Sequence, residues 1–159
     1  MIIAIAVVLA LPAVRAGSRQ REVRTTLQHF VGSVRRASSM AVLQRRTVEL
    51  WISPKESAYA VAVRPRREPN EAEEAGYDSP ELEDGREIVG RVVLPKSASF
   101  GRIDGGVYLP REVISIPFYP TGGSGGAKVE FVFDTRGPAQ TYVLSISPLL
   151  SSIDVEDQK

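Results

Sequence analysis

No cysteine occurs in the 159 residues, which excludes disulfides, thiolate nucleophiles, iron–sulfur clusters and cysteine-ligated zinc. A single histidine, His29, excludes any site built from several imidazoles. Aromatic residues make up 7% of the chain, with one tryptophan. A dominant charge is missing too: 20 Lys plus Arg against 19 Asp plus Glu leave a net of +1. That balance weighs against a dedicated nucleic-acid binder. The longest apolar run, residues 2–14, stops at thirteen, whereas a bilayer-spanning helix needs about 20. What is present is 43% apolar and 25% charged residues, the mixture of one folded globular domain.

The charge balance hides an asymmetry. Residues 1–46 carry eight Arg and one acid, Glu22, for a net of +7; residues 47–159 carry 12 basic and 18 acidic groups, for a net of −6. Two parts with different surroundings are expected.

The apolar run I-I-A-I-A-V-V-L-A-L-P-A-V opens the first part. Three readings of it are open: a secretory signal peptide cleaved after Ala16, a buried core helix, or the end of a membrane helix that begins upstream. Beyond Gly17 a helical pattern continues, with Val23, Leu27, Phe30, Val31, Val34, Ser38, Ala41 and Val42 recurring at spacings of three and four. No proline interrupts residues 13–53. One helix is therefore expected over 2–45, apolar all round at first and amphipathic afterwards, bent locally at Pro12. A signal peptide does not normally run on into such a helix, which favours the membrane reading.

After Arg46 the period changes from 3.6 to 2. Val48, Leu50 and Ile52 alternate with Thr47, Glu49 and Trp51, and Tyr59, Val61 and Val63 form the return strand after a turn at 53–57. The 64–87 stretch, with nine acids, four Arg and three prolines, reads as a solvated loop. Further strands are expected over 88–94, 114–118, 129–133, 142–146 and 152–156. The fold class is α+β: a long N-terminal helix laid on a small antiparallel sheet, with 1–46 as helix and 47–159 as head.

No motif specifies catalysis. The run T-G-G-S-G-G-A-K at 121–128 invites a phosphate-loop reading, but Ala127 separates the last Gly from Lys128 and no Ser or Thr follows. That pattern requires G-K-[ST] leading into a helix, so a hairpin turn is the better reading. His29 has no acid spaced to orient it within its helix and reads as a helix-surface or interface residue. The acids of 68–87 lack the calcium-loop spacing. Trp51, opposite its strand's core residues, marks a contact surface or packs under a loop. No catalytic residue, cofactor, metal, nucleic acid or small-molecule substrate is expected.

The order of elements, and four stretches within it, carry a resemblance. V-V-L-A-L-P-A-V at 7–14 resembles the end of a prepilin membrane helix, and S-V-R-R-A-S-S-M-A-V-L-Q-R-R-T-V-E-L-W-I at 33–52 resembles the helix end entering a first strand. I-P-F-Y-P-T-G-G-S-G-G at 116–126 and Y-V-L-S-I-S-P-L-L-S-S-I-D-V at 142–155 are similar to that family's later strands and turns. The family is the type IV pilin and pseudopilin class, within it the H-type minor pseudopilins of the type II (general) secretion pathway and the FimT-like minor pilins. The resemblance implies a single-pass subunit of the bacterial inner membrane with a periplasmic head and other pseudopilins as partners. It also implies a leader and about ten residues upstream of the present start. The membrane and assembly part of the helix would be Ile2, Ile3, Ile5, Val7, Val8, Leu9, Leu11, Pro12 and Val14. The helix-to-sheet contact falls to Val23, Leu27, Phe30, Val34, Ala41 and Val42.

Overall fold

A computed structural model describes residues 2–64, 86–134, 138–149 and 153–158; side chains of the first helix are described from Arg19. The expected acidic loop thus lies mostly outside the described residues. Helix α1 spans Ile2–Gln44. It stops where Arg45 turns left-handed (φ 51) and the Arg46 N–H reaches back to the Ala41 carbonyl at 3.2 Å. That closure satisfies a carbonyl the helix would otherwise leave open.

Among the described residues nine strands follow: β1 (Val48–Ser53), β2 (Ala58–Val63), β3 (Glu87–Val93), β4 (Ala98–Gly105), β5 (Val107–Leu109), β6 (Val113–Phe118), β7 (Ala127–Phe133), β8 (Gln140–Ile146) and β9 (Ile153–Gln158). The expectation of one sheet is corrected. There are two, ordered β3-β2-β1-β6-β5 and β4-β7-β8-β9, with antiparallel pairing throughout. Strands β4 and β5 were not expected. They are linked by Gly105 and Gly106, which carry the chain from one sheet to the other. Both are left-handed (φ 95 and 75), and a Cβ on Gly105 would sit 2.8 Å from the Gly126 carbonyl oxygen. Only glycine accepts that combination of backbone and crowding.

The glycine-rich turn is corrected in part. It does fold back as a local hairpin, with Phe118 bridged antiparallel to Ser124 and the Gly125 N–H donating to Pro117 O at 2.7 Å, but β6 and β7 on either side of it belong to different sheets. Ser124, buried, ties it down: its N–H donates to Pro148 O at 2.8 Å and its hydroxyl to Ser147 O at 3.0 Å.

The core lies where the helix meets both sheets. Phe30, fully buried, meets Tyr59 of β2 edge-on at 5.1 Å, Phe131 of β7 at 4.9 Å and Phe100 of β4 at 6.4 Å. Edge-to-face rings at these distances add to the apolar burial itself. Burial pushes the Tyr59 phenol above its ordinary value, with the Ser33 hydroxyl acting the other way. At the other end of the stem the Ser97 hydroxyl donates to Glu22 at 3.1 Å.

Candidate functional site

The stem and the outer face of the five-stranded sheet are the two surfaces to which the expected functional residues belong. On the stem, Val23, Phe30, Val34 and Ala41 are buried against the head and Leu27 is partly so. Val42 is corrected: it is 47% exposed. Thr26 and Ala37 are buried in its stead, giving the contact stripe 23, 26, 30, 34, 37, 41 at spacings of three and four. An apolar count overlooked these two because Thr26 is polar and Ala37 small, although their spacing fits the helical period. The other expected stripe members lie on the flank of this one, and the neighbouring Leu43 is 82% exposed. His29 is exposed, its carbonyl accepting from the Ser33 hydroxyl at 3.1 Å. The side chains of Ile2, Ile3, Ile5, Val7, Val8, Leu9, Leu11, Pro12 and Val14 lie outside the described residues. Among the described residues no helix is long and apolar enough to cross a membrane.

On the outer sheet face the alternation of β1 sets Glu49 and Trp51 opposite Leu50 and Ile52. Both are buried, so of the two readings of Trp51 the packed one holds. The indole N–H of Trp51 donates to Glu49 at 2.9 Å, the Nε–H of Arg64 donates to the other carboxylate oxygen at 2.6 Å, and Arg86 stands 3.7 Å away. The Arg86 guanidinium also sits 5.4 Å from the centroid of the Trp51 ring, within cation–π reach. One carboxylate, 2% exposed, therefore holds together the end of β2 and the start of β3.

The ionisation of Glu49 follows from these contacts. Burial raises its pKa, yet the Trp51 and Arg64 hydrogen bonds and the charges of Arg64 and Arg86 together hold it below its ordinary value. A carboxyl depressed in the folded state stabilises the fold above the unfolded value, 4.5, and that contribution is lost as pH falls through the folded value. Denaturant midpoints measured from pH 7 downward should therefore fall more steeply below pH 4.5 in the parent chain than in Glu49→Gln. At pH 7 the variant should lose about 1–3 kcal/mol. Parallel pH profiles for the two proteins would contradict the assignment.

Among the described residues no group of three or more His, Asp or Glu could hold a metal ion.

No protein-family model and no curated protein matches the chain in sequence. Structure is more informative. The chain resembles the minor pseudopilin EpsH from the type 2 secretion system of Vibrio cholerae, with TM-score 0.60 and 8% identity over 86% of this chain and 97% of that one. It also resembles the type IV minor pilin FimU of Pseudomonas aeruginosa PAO1, with TM-score 0.51 and 14% identity over 87% and 91% of the two chains. A long helix laid across two antiparallel sheets, with the same extent as these two subunits, is the pilin-like fold.

Proposed function

We propose that this chain is a minor pseudopilin: a non-enzymatic structural subunit of the periplasmic pseudopilus of a type II secretion system. The observation that supports this most is the likeness to EpsH, which covers 86% of this chain and 97% of that one. In this reading residues 2–14 hold the subunit in the inner membrane and later pack among similar helices of neighbouring subunits. The head stays in the periplasm. Burying an apolar helix stripe in such a bundle contributes roughly 25 cal/mol per Å². The stem's exposed cations Arg21, Arg24, Arg35 and Arg36 then face neighbouring subunits. A type IV pilus minor pilin is the second reading, favoured by the likeness to FimU.

The absence of cysteine makes a direct test simple. Single-cysteine variants at Arg24 and Arg35, both exposed, should crosslink to other pilin-like subunits in the producing cell. Deleting the gene should halt export of folded proteins and leave surface pili intact. Loss of pili with export unchanged would move the assignment to the second reading. Failure of both variants to crosslink to any pilin-like subunit would remove both readings.

A further inference from the structure

Strand β2 reads A-Y-A-V-A-V, and its alternation sorts sizes. Tyr59, Val61 and Val63 belong to the core cluster with the helix, which leaves Ala58, Ala60 and Ala62 on the opposite face. Trp51 pairs with Ala60, Ser53 with Ala58, and Ala60 in turn with Arg91 of β3. Across the sheet the small residues are thus flanked by tall ones, Ile88 and Arg91 on one side and Arg111 and Val113 on the other. The result is a trough of about 280 Å³ floored by methyl groups and the tryptophan.

Its charges do not cancel. Glu56, on the rim, is spent on Arg91 at 2.6 Å. Arg111 has no ion-pair or hydrogen-bond partner among the described residues. Its backbone is left-handed (φ 63, ψ 26), and so is that of Glu112 (φ 59). Two successive non-glycine residues in that region form a strained turn, of the kind that concentrates at binding sites. The turn holds the base of a free guanidinium at the edge of an apolar trough.

We propose that this trough docks an extended acidic segment of a partner polypeptide. One carboxylate would pair with Arg111, in the fork geometry that guanidinium and carboxylate share. An apolar side chain two positions away, on the same face of the extended segment, would fill the space over Ala58, Ala60 and Trp51. The trough's volume suits one or two side chains and falls below the usual range for drug-sized ligands and cofactors. One cation without a partner among the described residues is also too little for nucleic acid, whose affinity comes from neutralising many phosphates. Such docking holds whether the chain serves a secretion filament, a pilus or neither.

Trp51 is the sole tryptophan, so its emission reports on the trough alone. The full-length chain in mild non-ionic detergent would be titrated with an acetylated hexapeptide alternating valine and glutamate. A saturable change in Trp51 emission is expected, with half-saturation below about 1 mM. Arg111→Asn, which removes the charge and tolerates left-handed backbone, should raise the half-saturation concentration about fivefold or more. Ala60→Leu should abolish the response by filling the trough. A hexapeptide with lysine in place of glutamate should give none. Should Ala60→Leu fail to fold, the exposed Arg111 variant and the lysine peptide still decide. No saturable response, an equal response to the lysine peptide, or an unchanged half-saturation in Arg111→Asn would each overturn the proposal.

Discussion

Removing the stem should unfold the head. A fragment beginning at Glu22 retains every helical residue described as buried, because the first of them is Val23. It should be monodisperse and melt cooperatively. A fragment beginning at Thr47 loses Val23, Thr26, Phe30, Val34, Ala37 and Ala41 together. The partners left uncovered include Leu50, Ile52, Tyr59 and Phe131, members of the same core cluster. Apolar area of that extent facing water marks a sticky, destabilised surface, and the two sheets also lose the element that meets both. Size-exclusion chromatography and thermal circular dichroism on the two fragments would decide the point. If residues 47–159 melt cooperatively at the same temperature as residues 22–159, the helix is an accessory and not part of the core.

Phe30→Ala should be the most damaging single substitution in the stem. Its ring is fully buried and meets rings on β2, β4 and β7. Truncating a buried Phe costs about 3–5 kcal/mol through lost transfer energy and the cavity left behind. For a domain of this size that corresponds to roughly 10 °C in Tm. Val42→Ala, on the exposed flank of the same helix, should shift Tm by less than about 2 °C. The contrast tests the corrected helix face: equal losses at 30 and 42 would restore the face expected from apolar spacing.

The helix and most strands were legible because each repeats a local period strong enough to survive its surroundings. Val48, Leu50 and Ile52 alternate, as do Val129, Phe131 and Phe133, and both sets became buried strand faces. Strand β4 was not legible, because its register shifts between Phe100 and Ile103. The buried positions then run 98, 100, 103, and the period of two is lost at the irregularity. Strand β5, three residues long, is too short to show any period.

The outer sheet face illustrates a different failure. Glu49 and Trp51 sit where strand alternation predicts solvent, and local pattern offers nothing against that. Their burial depends on Arg64 and Arg86, at opposite ends of a long insertion, converging on one carboxylate. The trough beside them depends on which strands flank β2, again a matter of pairing.

By itself, then, the sequence determined the helix, four of the buried positions of its contact face (Val23, Phe30, Val34 and Ala41), and the strands with unbroken alternation. These follow from short-range geometry, in which a residue's neighbours three, four or two positions away settle its side. Only the tertiary structure decided that the strands divide into two sheets, that Val42 faces outward while Ala37 faces in, and that Arg111 lines the same trough as Trp51 without a partner among the described residues. Those outcomes depend on contacts between residues far apart in the chain. A glycine pair or a glycine-rich turn reads the same locally whether it joins two strands of one sheet or carries the chain to another sheet.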